Sequence, residues 1–171
     1  MRIELAGRAR LLGDDMNTDY IISSSRKKRT IDPQVLKQYL LEAVDPTFAS
    51  SVAPGDLLVA GKNFGCGSAM EVAVTVVLAA GIKAVLAPSF ARTYYRNAVN
   101  NGLIPIECDT TGFREGDRLN IVLDRTGASV TDESSGLEIV ALPFPSIMLD
   151  ILDAGGVVPY FRKHHDFAPA L

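Results

Sequence analysis

A glycine-rich turn between two apolar segments constrains the fold of this chain most strongly. Residues 57–60 (Leu-Leu-Val-Ala) have the short, apolar character of a buried strand, and residues 72–80 have that of a helix. The sequence between them is Gly-Lys-Asn-Phe-Gly-Cys-Gly-Ser, from Gly61 to Ser68. Glycine supplies the backbone conformations that a tight turn needs. The pattern therefore predicts a strand, a turn and a helix over about residues 68–80, with Ser68 as the N-cap.

The same alternation of strand and helix continues downstream. Residues 83–87 predict a second buried strand, residues 89–100 a helix capped by Ser89, and residues 103–107 a third strand. Strands that alternate with helices form parallel sheets. The centre of the chain is therefore expected to be a βαβαβ unit.

The flanking sequence adds elements of other kinds. Segments with strand character are residues 2–12, 119–124, 129–131 and 137–142. Segments that begin as helices do, with proline in the first turn, are residues 33–44, 46–52 and 145–154. The end of the chain after residue 160 is expected to fray. We predict one α/β domain over residues 1–171, with a parallel core and additional mixed or antiparallel strands.

Composition excludes several functional classes. The 171 residues are 47% hydrophobic with a net charge of −3, so the whole chain has no basic surface for nucleic acid. The sequence contains no apolar N-terminal segment of signal-peptide type and no apolar run long enough to cross a membrane. We expect a cytoplasmic protein that acts on neither membranes nor nucleic acid.

Cysteine and histidine are too few for a metal centre. Cys66 and Cys108 form no CxxC motif, and His164 and His165 lie together near the C-terminus. A cluster held by three or four thiolates needs more ligands than this chain has. We therefore expect no metal in this chain. Cys66 is expected to be a small buried residue or a reactive thiol near a helix N-terminus.

The glycine turn does not match the common nucleotide or hydrolase motifs. Met70 stands where the third glycine of GxGxxG would be, and neither GxxxxGK[ST] nor GxSxG is present. Two interpretations remain, namely a helix cap or a contact between Ser68 and an anionic substrate.

Four consecutive cations, Arg-Lys-Lys-Arg from Arg26 to Arg29, form a second feature that should be exposed and mobile. They could be a solvated loop, a flap that brings a guanidinium to an anionic substrate, or, less favoured, a nucleic-acid contact.

Several motifs in one order resemble a known family. They are Gly-Asp…Thr-Asp-Tyr-Ile-Ile in residues 13–22, Asp-Pro-Thr-Phe-Ala in 45–49, Pro-Gly-Asp…Gly-Lys-Asn-Phe-Gly-Cys-Gly-Ser in 54–68, and Ser-Phe-Ala-Arg…Tyr-Arg-Asn…Gly-Leu in 89–103. Over residues 1–110 in particular, the chain resembles the small subunit of the isopropylmalate isomerase/homoaconitase family, the swivelling domain of the aconitase superfamily.

The resemblance implies a β/β/α swivelling fold and a hydro-lyase that acts only with a large subunit, as a heterodimer or heterotetramer. In the family, the large subunit carries a [4Fe-4S] cluster whose iron binds the substrate as a Lewis acid. Its substrates are 2-hydroxy di- or tricarboxylates, here isopropylmalate or a methylated malate. A serine of the glycine turn removes the proton α to a carboxylate, and that serine corresponds to Ser68. The field of a helix N-terminus would help to stabilise its alkoxide.

The resemblance also implies the substrate-binding residues. These are Arg29 and Arg26 in a recognition loop, together with Thr18, Asp19, Gly67 and Ala69. Two positions depart from the family: the usual Ser-Ser-Arg is Ser68-Ala69-Met70 here, so a serine and an arginine that contact substrate carboxylates are absent. The alternative is a non-catalytic paralogue that regulates or assembles a partner.

Overall fold

The computed structural model describes residues 2–141, 143–165 and 167. The strands are β1 (Arg2–Leu11), β2 (Leu57–Val59), β3 (Ala84–Ala87), β4 (Ile104–Glu107), β5 (Arg118–Asp124), β6 (Gly127–Asp132) and β7 (Glu138–Ala141). The helices are α1 (Thr18–Ile21), α2 (Ser24–Lys27), α3 (Pro33–Leu36), α4 (Phe48–Ser51), α5 (Val72–Ala79), α6 (Arg92–Asn101), α7 (Ser146–Asp153) and α8 (Val157–His164). A 3₁₀ turn, Lys37–Tyr39, follows α3. Within the described ranges, no helix is long and apolar enough to cross a membrane.

All seven strands form one sheet in the order β4-β3-β2-β1-β5-β6-β7. The strands from β4 to β1 are parallel, and those from β1 to β7 are antiparallel. Strand β1 joins the two halves: Ala9 pairs with Leu57 of β2, whereas Arg8 pairs with Arg118 of β5. The predicted βαβαβ unit, the added antiparallel strands and the α/β class are confirmed.

Both faces of the parallel half are covered. Leu57 and Val59 belong to one apolar cluster, which also contains buried residues of α7 and α8, and Leu58 between them belongs to another, with α5. Burial on both faces explains why β2 and β3 are apolar at every position rather than at alternate ones. Each buried leucine of this kind contributes roughly 1.5–3 kcal/mol of transfer free energy.

A partly buried group of charges ties β1 to the segments before β2 and β5. Asp56 accepts from Arg8 at 2.8 Å and lies 3.4 Å from Arg10, which also pairs with Glu115 at 2.8 Å. Arg10 and Asp56 are 7% and 4% exposed, so each charge needs these partners. Arg10 also lies over the ring of Phe48, 4.5 Å from its centroid.

The helix predicted over residues 33–44 is wrong in its length. Helix α3 ends at Leu36 and the 3₁₀ turn ends at Tyr39. Leu41 then has a φ of 57° and donates its N–H to the carbonyl of Ile21 at 2.9 Å. Leu40 and Leu41 are both fully buried. A positive φ and a backbone bond to Ile21 are incompatible with a helix that continues through Leu41, since helical residues have negative φ and bond to the fourth residue before them.

Two predicted helix caps are also wrong, and so is the predicted fraying at residues 161–164. Helix α5 begins at Val72 with Glu71 as N-cap, so Ser68 lies in the loop before it. Helix α6 begins at Arg92, and the Ser89 hydroxyl accepts from the N–H of Asn63 at 2.9 Å. The chain after residue 160 continues as α8 to His164, with Tyr160 buried in the core. The rest of the predicted frayed end, at residues 166 and 168–171, lies outside the described residues.

Candidate functional site

Two loops lie side by side at the carboxyl ends of β1 and β2. Four backbone hydrogen bonds of 2.8–3.1 Å join residues 13–18 to residues 61–66: Gly61 to Gly13, Asp15 to Lys62, Gly65 to Met16, and Thr18 to Cys66. Because the two strands are parallel neighbours, their loops meet at one edge of the sheet, where α/β proteins commonly bind ligands.

Ser68 has a fixed backbone and an open side chain. Its carbonyl oxygen accepts from the Thr18 hydroxyl at 2.9 Å, and Thr18 is 1% exposed. Ser68 itself is exposed, and its own hydroxyl makes no hydrogen bond to any residue that the structure describes. The fold therefore holds this serine in place and leaves its hydroxyl available to another molecule.

The turn before Ser68 has room only for glycine at two positions. Gly67 has a φ of +90°, and a Cβ there would lie 2.6 Å from the side-chain amide of Asn17. Gly65 has a φ of +77°, and a Cβ there would lie 2.2 Å from the ring of Tyr94. Side chains other than glycine are strained at such φ values, so the backbone path of this loop depends on both residues.

Aromatic side chains pack beneath the loop. The ring of Phe64 is fully buried and meets Phe90 and Tyr94 edge to face, at centroid distances of 5.9 and 5.1 Å. Tyr94 donates its hydroxyl to the carbonyl of Ala73 at 3.3 Å, and burial raises the pKa of Tyr94 far above its ordinary range. These aromatic side chains therefore serve packing beneath the loop.

Asp19 holds the segment that follows it. One oxygen of its carboxylate accepts from both the backbone N–H and the hydroxyl of Ser24, at 3.1 and 2.5 Å. Ser24 begins α2, so Asp19 fixes the start of the basic segment beside the Ser68 loop. Of the predicted site residues, the structure thus brings Thr18, Gly67, Ser68 and Ala69 into one loop pair, with Asp19 adjoining.

The basic segment is exposed only in its second half, and its mobility stays a prediction. Its first arginine, Arg26, makes a two-pronged ion pair with Glu42 at 2.7 and 2.8 Å. The Arg26 guanidinium also lies 3.9 Å from the ring centroid of Tyr39, and its hydrogen bond to Glu42 raises its pKa. Arg29 is exposed and makes no ion pair within the described ranges. No contact joins either arginine to Ser68 in that part of the chain.

A cleft of about 410 Å³ adjoins the Ser68 loop. Its walls include Ala69, Met70 and Val72 from one segment, and Lys27 and Ile31 from the other. The sequence places Lys27 in the run of four cations without distinguishing it from the other three, and it gives no signal for Ile31. The place of both residues in this cleft depends on tertiary structure.

The residues present do not fit a metal cluster. Among the described residues, no three histidine, cysteine or acidic side chains lie close enough to hold a metal ion. Cys66 is half-buried, and burial raises the pKa of the Cys108 thiol to about 11. A thiol that remains protonated is a poor metal ligand.

Comparisons with known proteins agree with this architecture. Residues 18–111 match the family model of the aconitase C-terminal domain. The chain is 41% identical to 3-isopropylmalate dehydratase small subunit 2 of Archaeoglobus fulgidus over 164 residues, and this match covers 96% of this chain and 98% of the relative. It is 42% identical to the methanogen homoaconitase small subunit of Methanocaldococcus jannaschii over 159 residues, and that match covers 93% of this chain and 92% of the relative.

A solved structure shows the same fold. The crystal structure of 3-isopropylmalate dehydratase from Methanocaldococcus jannaschii superposes with a TM-score of 0.89 and 41% identity, over 95% of this chain and 96% of that one. The match spans nearly the whole of both chains. This chain therefore belongs to the family of 3-isopropylmalate dehydratase and homoaconitase small subunits, which contain the aconitase C-terminal domain.

Proposed function

We propose that this chain supplies the base and part of the binding surface in a hydro-lyase that removes water from, and returns it to, a 2-hydroxy di- or tricarboxylate. Relatives named as subunits of 3-isopropylmalate dehydratase and homoaconitase support this substrate class. Isopropylmalate and methylated malates are the first candidates. These names favour a catalytic small subunit over a non-catalytic paralogue.

The exposed hydroxyl of Ser68 on its fixed backbone carries this proposal. In the proposed reaction, the Ser68 alkoxide takes the proton α to a substrate carboxylate. An acid of the complex protonates the hydroxyl on the neighbouring carbon, and the C–O bond breaks to release water. Thr18 contributes by fixing the Ser68 carbonyl, so that the hydroxyl keeps one position. Holding a reacting group in a defined geometry is a large part of catalysis.

The charge that stabilises the alkoxide comes mainly from outside this chain. Helix α5 begins at Val72, after Ser68, and the field of a helix falls off within its first turn. The expectation that Ser68 stands at the helix mouth is therefore corrected. We propose that cationic groups of the complex lower the pKa of the serine when the two subunits close on substrate.

The large subunit is the proposed holder of the [4Fe-4S] cluster, because the described residues of this chain provide no metal site. The name "small subunit" in the relatives implies such a partner. We propose a heterodimer or heterotetramer with a small carboxylate substrate between the subunits. A cytoplasmic location, and the absence of nucleic-acid and membrane partners, stay predictions.

The test is turnover by the reconstituted complex. The chain would be purified with its large subunit, loaded with cluster under anaerobic conditions and assayed with isopropylmalate, malate and methyl-substituted malates by absorbance of the unsaturated product. Ser68→Ala should lower kcat by about 10²–10⁴-fold, the usual contribution of a positioned base. Ser50→Ala, at an exposed position on α4, is the matched control and should keep wild-type activity. Full activity of Ser68→Ala would rule out the assigned base.

A further inference from the structure

The ammonium group of Lys27 has an unusual neighbour. Its Nζ atom lies 3.1 Å from the Sδ atom of Met70, and the side chain is half-buried. A thioether is a weak acceptor that carries no charge. Within the described part of the chain, Lys27 makes no ion pair. The cleft therefore contains a positive charge without an ion-pair partner among the described residues.

The other three cations of the segment differ from Lys27. Arg26 is paired with Glu42 and stacked on Tyr39. Lys28 and Arg29 are exposed, and neither lines the cleft. Of the four, Lys27 is the one that the fold directs into the cleft beside the Ser68 loop.

The surroundings of Lys27 limit what the cleft can bind. Ile31 and Val72 give it apolar walls, and Met70 is 5% exposed. Glu71 lines the same cleft and is exposed. The charge of Glu71 disfavours a second carboxylate there, since like charges repel strongly at short range. The cleft thus suits one carboxylate next to a small apolar group.

We propose that Lys27 binds one carboxylate of the substrate, and that the apolar walls around Met70 take a short alkyl substituent of the same molecule. This inference rests on the proposed function and narrows it to alkyl-substituted malates in preference to tricarboxylates. A single ammonium binds a carboxylate as a point charge, without the two-pronged geometry of arginine. Binding should therefore tolerate several positions of the carboxylate.

The closing experiment compares Lys27→Met with Lys28→Met in the complex with the large subunit. Lys27→Met should raise the KM for methyl-substituted malates by about 10- to 100-fold, since a hydrogen bond to a charged group is lost. Its kcat should change by less than about threefold, because the contact is made equally before and during reaction. Lys28→Met should change neither constant, and Lys27→Arg should recover most of the affinity.

A second readout separates this inference from the proposed function. Calorimetric titration of the same complexes with malate measures binding without turnover. Suppose that the wild type turns over a hydroxy acid and that Lys27→Met matches Lys28→Met in KM and in malate affinity. The role of Lys27 is then wrong, and the proposed hydro-lyase function stands. If the wild type turns over no hydroxy acid while malate binding still depends on Lys27, the function is wrong and the anion site stands. Malate binding that is independent of Lys27 overturns the site in either case.

A separate variant tests the preference for malates over tricarboxylates. Glu71→Gln removes the negative charge of the cleft and leaves Lys27 in place. It should strengthen citrate binding more than malate binding in the same titration. Equal effects on both acids would contradict the assigned role of Glu71.

Discussion

The Thr18 hydroxyl donates to the Ser68 carbonyl oxygen at 2.9 Å, between residues 50 positions apart in the chain. Thr18→Val keeps the shape of the side chain and leaves that partly buried acceptor without its partner. We expect the variant to lose about 1–3 kcal/mol of unfolding free energy. It should also lose kcat in the reconstituted complex, because Ser68 is no longer fixed. Urea unfolding and steady-state assays measure the two effects.

The control for this prediction is Thr47→Val. The Thr47 hydroxyl donates to Asp45 in an exposed turn, at 2.7 Å. This variant should leave kcat unchanged. An equal loss of kcat in both threonine variants would show that the bond to Ser68 has no special role.

Gly67→Ala tests the close approach of the two loops. Gly67 and Gly116 have nearly the same φ, +90° and +87°, but only Gly67 has atoms within 4 Å of an added Cβ. Both alanine variants should carry the backbone strain of a positive φ, about 1–2 kcal/mol. Gly67→Ala should lose more stability than Gly116→Ala and should also lose activity, because Asn17 must move. Similar melting temperatures and similar kcat values for the two variants would contradict this.

The pair of Arg26 and Glu42 provides a test of whether Arg26 acts through the fold or on substrate. If its main role is to hold α2, Arg26→Met and Glu42→Gln should lower the melting temperature by similar amounts. The double variant should then be scarcely less stable than either single variant. The KM of each should change less than that of Lys27→Met. A large rise in KM for Arg26→Met alone would instead support direct contact between Arg26 and substrate.

Stability at low pH should depend on Asp132. This carboxylate is 2% exposed and accepts hydrogen bonds from the hydroxyls of Ser135 and Ser134 and from their backbone N–H groups. These bonds lower the pKa of Asp132 to about 2, from an ordinary value of 3.8. Because the pKa of Asp132 is lower in the folded than in the unfolded chain, the ionised carboxylate stabilises the fold at pH values above the unfolded-state pKa. This stabilisation should be lost as pH falls from about 4 towards 2.

Urea unfolding between pH 2 and 6 measures this dependence. Asp132→Asn should show a flatter profile than the wild type at the acidic end, because its side chain does not titrate. Ser135→Ala should show an intermediate slope, since it removes one of the donors to the carboxylate. An unchanged slope in Asp132→Asn would assign the acid sensitivity to other groups.

The sequence predicts the arrangement of strands better than the helix boundaries. Short apolar segments between glycine turns are enough to identify β2, β3 and β4, since burial on both faces leaves a clear local pattern. The start of α5 and the end of α3 depend instead on contacts with distant segments. Ser68 bonds to Thr18, and Leu41 bonds to Ile21. Local propensity contains no information on either contact.

The residues of the candidate site could also be predicted only in part. The resemblance identifies Ser68, Thr18 and Gly67, and the structure places them in one pair of loops. The roles proposed for them stay to be tested. The arrangement of the basic segment could not be predicted, because four similar cations in sequence give no indication of which one Glu42 binds. The position of Lys27 beside Met70 requires the fold of both segments.

Strand β1 has a consequence for how the protein folds during synthesis. It is synthesised before its partners β2 and β5, which begin only at Leu57 and Arg118. The ion contacts of Arg10 also wait for distant residues, since Asp56 lies just before β2 and Glu115 just before β5. Pairings between such distant segments form slowly, and an unpaired strand edge attracts other chains. A nascent chain that stops after β4 would expose the edge of β1 that β5 covers in the complete sheet, so we expect such a chain to aggregate through that edge.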